Sequence, residues 1–294
     1  MRVAIIGGDK RTLFAARGFA DSGCEVYLGG FDKISQMCGV NLTSLTEAAE
    51  ASDMIVLPVR PVIDDELFAP FSDERYPIAE FADVLSNKPV FSGFAGSIKK
   101  YLEASIYDYT AREEFSIRNA VLTAEGALEL IMREYEDSVF GADVLISGYG
   151  RIGRILARYL KGLGACVTAA VRRPEKRAWA VCEGINVCDY SFREIKNHDI
   201  IINTVPAQVF NADVIDRMDD DVFIIDLASS PGGFDTVRAQ DRGLTLIGAP
   251  GLPGKTSPKA AGRIIKDTIM NIIKEENGGK DNSGLRDDRL FLHL

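Results

Sequence analysis

Gly148, Gly150 and Gly153 fall two and three positions apart in the run SGYGRIG, a spacing at which the backbone itself can bind phosphate. The first glycine permits a tight turn, the second lets a pyrophosphate approach the main chain, and the third lets the following helix pack closely on the preceding strand. Free N–H groups and the positive dipole end of that helix then face the phosphates. With Tyr149, Arg151 and Ile152, these glycines are candidate cofactor-binding residues. About twenty residues further on, a site for NAD carries an acid that takes the ribose hydroxyls. Arg172 and Arg173 stand there in this chain. A guanidinium is a planar, permanently charged partner for a 2′-phosphate, which an acid would repel, so the expected cofactor is NADP.

Three glycines at this spacing are common by chance, and the flanking elements supply the specificity. The apolar run DVLIS precedes the turn, and Ile152, Ile155, Leu156, Tyr159, Leu160 and Leu163 share one face of a helical pattern after it. With CVTAAV, INVC, DIIIN, VFIIDL and LTLIG, the strand candidates beyond residue 141 number six, as in a complete dinucleotide-binding sheet. Earlier in the chain RVAII, CEVYL, DMIVLP, PVFSG and SIYDY alternate with helical segments, which predicts parallel βαβ units. The expected fold is α/β, with two doubly wound parallel-sheet domains and a cleft between them. The N-terminal domain is read as flavodoxin- or Rossmann-like and the C-terminal one as an NAD(P)-binding Rossmann domain. The predicted divisions are 1–115 for the N-terminal, substrate-side domain, 116–140 for a connecting helix and 141–256 for the NADP-binding domain. A helix over 257–277 is expected to pack back on the N-terminal domain, followed by a mobile tail over 278–294. In the connecting helix Ile117, Ala120, Val121, Ala124, Leu128, Ile131, Met132 and Tyr135 form the expected apolar face.

Open α/β sheets bind ligands at the carboxyl ends of their strands. Asn203, Thr204, Val205 and Pro206 follow one later strand and Ser229 follows another, completing the cofactor candidates; Asn203 and Thr204 are placed toward the nicotinamide ribose. After the first strand come Gly7 and Gly8, with Thr12 where a third glycine would stand, so this turn is assigned to substrate rather than to a second dinucleotide. Gly8, Arg11, Lys255 and Ser257 are the candidate substrate residues. Ser257, with Pro258 at the next position, would cap a helix whose N–H groups join Lys255 and Lys259 in holding a carboxylate. Asp9, Glu125 and Lys259 are the candidate catalytic residues, with Asp9, Glu125 or a water left open as proton acceptor.

His198 and His293 are the only histidines. His198 precedes a strand, at the wrong end of the sheet for the cofactor, which disfavours a dehydrogenase with a histidine base. No Gly-x-Ser-x-Gly elbow supports a hydrolase. A net charge of -9 disfavours a nucleic-acid partner. No apolar run reaches bilayer length, so no membrane partner is expected and the chain is read as cytoplasmic. Five cysteines without a Cys-x-x-Cys pair make a disulfide framework or a metal site a poor reading, and all five are expected as small buried hydrophobes. A homo-oligomer is also expected.

IIGGDKR, GGFD, LPV, FSG, TAEGALELIM, GYGRIG, NTVP, DLASSPGG and APGLPG…PKAAG occur in order over nearly the whole chain. In this set the chain resembles the A-type subunit family of dipicolinate synthase, from endospore-forming bacteria. The resemblance implies NADP-linked formation of dipicolinate, a small dicarboxylate, from a dihydrodipicolinate precursor, in partnership with the flavoprotein-like B-type subunit of dipicolinate synthase. The chain departs from the family pattern at Ser230, where arginine is expected, and at Lys255 and Thr256, where apolar residues are usual. Two other readings stand beside this one: another NADP-dependent oxidoreductase of a small carboxylic acid, and a cofactor-binding scaffold inactive without its partner.

Overall fold

Runs of Val, Ile and Ala without polar alternation suit strands that helices cover on both faces, and such runs form two parallel sheets here. The structure is a computed structural model that describes residues 1–282. β1 (Arg2–Ile6) leads through α1 (Lys10–Asp21) to β2 (Glu25–Gly29) and the two-residue β3 (Asn41–Leu42). There follow α2 (Leu45–Ala51), β4 (Met54–Val56), the hairpin β5 (Val62–Ile63) and β6 (Glu66–Leu67), α3 (Ile78–Ser86), β7 (Val90–Ser92) and β8 (Ile106–Asp108). Apart from the antiparallel hairpin, these strands pair in parallel in the order β3-β2-β1-β4-β7-β8. The sequence pattern does not show β3 or the hairpin, because Asn41 and Leu42 are exposed and each hairpin strand has only two residues.

After α4 (Glu113–Glu134), the second sheet begins with β9 (Asp143–Ser147), α5 (Arg151–Gly162), β10 (Cys166–Ala170), α6 (Pro174–Cys182) and β11 (Asn186–Cys188). It continues with β12 (Ile200–Asn203), α7 (Ala212–Ile215), β13 (Phe223–Asp226), α8 (Thr236–Asp241), β14 (Leu246–Gly248) and α9 (Leu252–Thr256). All six strands are parallel, in the order β11-β10-β9-β12-β13-β14. This is the doubly wound order of a dinucleotide-binding sheet, with β9 and β12 flanking the point where the strand order reverses. The chain divides into two compact units, Met1–Asn119 with the segment from Ser257, and Ala120–Thr256.

α10 (Pro258–Asn282) belongs to the first unit. A methyl group at Gly262 would lie 2.5 Å from the Arg11 carbonyl oxygen, 2.6 Å from Phe14 Cβ and 2.7 Å from the Ala15 nitrogen. Only a glycine lets α10 come this close to the α1 backbone. Arg112 forks onto both Glu275 carboxylate oxygens at 2.7 and 2.6 Å, and Arg118 reaches Asp267 at 3.0 Å. Gly262→Ala is expected to cost about 2–3 kcal/mol by overpacking. Gly278→Ala, in the same helix with nothing within 4 Å of its added methyl, is expected to be neutral or to stabilise by up to about 1 kcal/mol. Paired thermal melts test this difference, and two equal shifts would mean that the crossing does not depend on Gly262.

Burial corrects two expectations. Ile117 and Met132 are exposed on α4, whereas Ala124, Ala127, Leu130 and Ile131 enter the core of the second unit. The apolar period runs on through the helix while the surface packed against it changes at residue 120. Cys38, Cys166 and Cys182 are exposed and Cys24 and Cys188 only half-buried. Four of the five sit at or beside the end of an element, where side chains leave the core: Cys24 just before β2, Cys166 first in β10, Cys182 last in α6 and Cys188 last in β11. The expected tail is helical as far as Asn282, and the remainder of it, with His293, lies outside the described residues. Among the described residues no helix is long and apolar enough to cross a membrane.

Candidate functional site

The three glycines after β9 each meet a different steric demand. Gly148 has φ +92°, a left-handed conformation that side chains rarely adopt. A methyl at Gly153 would overlap the Gly148 carbonyl oxygen, so α5 lies directly on the turn. At Gly150 a methyl would meet nothing within 4 Å. The space above the middle glycine is therefore open. Gly150 is also the N-cap of α5 and makes no side-chain cap hydrogen bond, the arrangement of a helix start that receives an anion. This helix start fits a dinucleotide pyrophosphate.

Tyr149 has a different position from the one expected of a cofactor contact. Its ring is buried in the core, and its hydroxyl donates to Glu183 Oε2 at 2.5 Å. Only its backbone belongs to the phosphate turn. Glu183 also accepts from Arg154 Nε at 2.7 Å, and the Arg154 guanidinium lies 4.3 Å from the centre of the Trp179 ring. Hydrogen bonding by Arg154 holds the Glu183 carboxyl below its usual range, and burial with the Glu183 contact pushes the Tyr149 phenol up. The sequence gives no local signal for Glu183, which lies 34 positions from Tyr149.

Strand register sets Ala170, Ser147, Asn203, Asp226 and Gly248 side by side across the carboxyl edge of the sheet. Asn203 is fully buried; its amide donates to Asp226 Oδ1 at 2.8 Å and to the Val205 carbonyl at 2.9 Å, while its oxygen accepts from Val205 N at 3.1 Å. Asp226 accepts further from Ala228 N and from Gly233 N. The Thr204 hydroxyl donates to the Ser147 carbonyl at 2.8 Å. Asn203 and Thr204 thus shape the loop after β12 with the groups expected to bind ribose, a correction that follows from Asp226 arriving beside Asn203 through the register. Val205 is half-buried, and Pro206 and Ser229 are exposed at this edge.

Arg172 and Arg173 leave the carboxyl end of β10 exposed. Arg173 is the N-cap residue of α6, 3.7 Å from Glu175. Arg172 has no carboxylate partner among the described residues; its guanidinium carbon lies 5.3 Å from the centre of the Tyr190 ring.

In the first unit, the turn after β1 is plugged. Asp9 is the N-cap of α1, its Oδ1 accepting from Arg11 N at 2.9 Å, and Arg11 returns a fork of bonds to both carboxylate oxygens at 2.8–3.1 Å. Asp9, one of the open proton acceptors, and Arg11, a candidate substrate residue, therefore satisfy each other. The carboxylate occupies the place at the helix start where a phosphate would sit. Gly8, at φ +105°, donates to the Phe68 carbonyl at 2.6 Å, and Thr12 fills the space beside it. Ser257 belongs to this unit as well, and its carbonyl accepts from Ala261 N at 3.0 Å. Lys259, on the first turn of α10, is exposed and has no ion pair among the described residues. Lys255 and Glu125 are exposed on the second unit. The expected substrate residues are thus divided between the two units.

Comparison with known proteins matches this geometry. A family model described as the N-terminal domain of the dipicolinate synthase A-type subunit matches residues 2–112. One described as the NAD binding domain of D-isomer specific 2-hydroxyacid dehydrogenase matches residues 119–231, which include the glycine turn and Arg172. The dipicolinate synthase A-type subunit of Bacillus subtilis (strain 168) is 30% identical over 290 residues, 94% of this chain and 96% of its own. The crystal structure of the corresponding dipicolinate synthase subunit from Bacillus halodurans has a TM-score of 0.84 at 31% identity, over 92% of this chain and 97% of that one. The transhydrogenase of Sinorhizobium meliloti, at a TM-score of 0.69 and 15% identity over 93% of this chain and 94% of that one, shares the fold. The second unit is a nicotinamide-dinucleotide-binding Rossmann domain, and the chain is an NAD(P)-dependent oxidoreductase. Its relation to the Bacillus proteins runs through both units, and the chain belongs to the A-type subunit family of dipicolinate synthase.

Proposed function

We propose that the chain is an NADP-dependent dehydrogenase that forms dipicolinate from a dihydrodipicolinate precursor, and that the flavoprotein-like B-type subunit of dipicolinate synthase is its partner. The full-length relation to dipicolinate synthase subunits supports the substrate. The observation that carries the cofactor choice is Arg172: an exposed cation without a carboxylate partner among the described residues, where an NAD site places an acid. NADP supplies the hydride acceptor. The α5 N–H groups bind its pyrophosphate, and Arg172 with Arg173 binds its 2′-phosphate.

One hydride and one proton leave the dihydropyridine, and the ring becomes aromatic. Aromatisation drives the step, so the chain needs mainly to hold the dicarboxylate in place. Lys259, with the N–H groups that begin α10, and Lys255 are the proposed cationic partners for substrate carboxylate. With Asp9 committed to Arg11, Glu125 or a water receives the proton. Lys259→Ala is expected to raise KM for dihydrodipicolinate about tenfold or more, the loss of one charged hydrogen bond, while NADPH affinity and thermal stability hold. Steady-state rates measured with and without the flavoprotein-like partner, beside a panel of keto and hydroxy acids, test the reading. Preferential turnover of a keto or hydroxy acid would refute the substrate, and an unchanged KM would remove Lys259 from the site.

A further inference from the structure

Arg172 lies against a ring where many described arginines pair with carboxylates. Arg2, Arg11, Arg17, Arg112, Arg154 and Arg238 each pair with Asp or Glu within 3.0 Å. Arg172 instead lies over Tyr190, with 5.3 Å between its guanidinium carbon and the ring centre. That difference matters because the donors of a guanidinium lie in its plane. A carboxylate would occupy those donors and compete with a phosphate, whereas a ring beneath the face attracts the cation and uses none of them.

The ring is itself fixed from below. Tyr190 meets Phe192 edge-on at 5.4 Å, Phe192 stacks on Phe210 at 4.8 Å, and Phe210 stacks on Phe234 at 4.3 Å. Phe192, Phe210 and Phe234 are buried, so the column runs from the core to the half-buried Tyr190. Phe192 has φ +47°, a backbone conformation that costs a bulky aromatic residue free energy and persists only where its surroundings enforce it. The column places Tyr190 two positions beyond the end of β11, beside the end of β10 that carries Arg172.

We infer that Tyr190 is a specificity-determining positioning residue, whose ring holds Arg172 in place to take the 2′-phosphate of NADP. The inference rests on the NADP reading above and names the element that makes Arg172 effective. Tyr190 acts through Arg172, so its removal is expected to change discrimination between the two dinucleotides and to spare the binding they share.

The test is fluorescence titration of the full chain with NADPH and with NADH, on wild type, Tyr190→Leu and Tyr190→Phe. Tyr190→Leu is expected to raise the NADPH dissociation constant about fivefold and to leave NADH within about twofold. Tyr190→Phe keeps the ring and should hold both within about twofold. Equal losses for NADPH and NADH would show a merely structural role and overturn the inference, as would a Tyr190→Leu protein that discriminates like wild type. If the leucine variant does not fold, Tyr190→Met is read in the same way. A wild type with no preference for NADPH would refute the NADP reading itself, whereas a wild-type preference that survives loss of the ring refutes only the role of Tyr190.

Discussion

Arg172→Glu is expected to raise the NADPH dissociation constant about a hundredfold and to leave NADH within about threefold. The substitution removes a charge-assisted bond to the 2′-phosphate and puts a like charge in its place, together on the order of 3 kcal/mol. The same glutamate offers the ribose hydroxyls of NADH the acceptor that NAD sites carry there, so NADH loses little. Arg172 has no ion pair among the described residues, and its replacement breaks no salt bridge that supports the fold. Titrations at two ionic strengths check the result, because the NADPH advantage of wild type should shrink as salt rises. Equal losses for both dinucleotides would mean that Arg172 does not read the phosphate.

Gly153→Ala should produce the opposite signature, with NADPH and NADH affinity falling together by at least about tenfold. The added methyl overlaps the Gly148 carbonyl, which is main chain and cannot move aside as a flexible side chain would. Relief requires α5 to draw back from β9, and the N–H groups at the helix start move with it. The overpacking costs about 2–3 kcal/mol and should appear as a lower melting temperature of the protein without cofactor. A Gly153→Ala protein that binds both dinucleotides as wild type does would show that the pyrophosphate lies elsewhere.

The sequence discloses most where the chemistry is local. The glycine turn, its strand and its helix are contiguous, and the cation at the end of β10 lies within reach of the same pattern. Assignments fail where a distant residue takes the donor first. Nothing near Asn203 in the sequence shows that Asp226, its register partner at the end of the neighbouring strand, will occupy its amide, or that Ser147 will accept from Thr204. Tyr149 reads as part of a phosphate loop until Glu183 draws its hydroxyl into the core. Asp9 and Arg11 are adjacent enough to be read either as a cap or as a site, and only geometry separates the two. The aromatic column under Tyr190 joins residues from three segments and has no sequence period at all.

The return of α10 to the first unit fixes an order of events during synthesis. The second unit is one continuous stretch and is complete before α10 emerges from the ribosome, whereas the first waits for its last helix. The part of the chain made first therefore matures last. Until then α1 keeps the strip around Phe14, Ala15 and Gly18 uncovered, the surface on which Gly262 and Lys266 later settle. A premature stop codon just before α10 would leave every residue of the dinucleotide turn in place and still release a protein whose oldest domain had never closed.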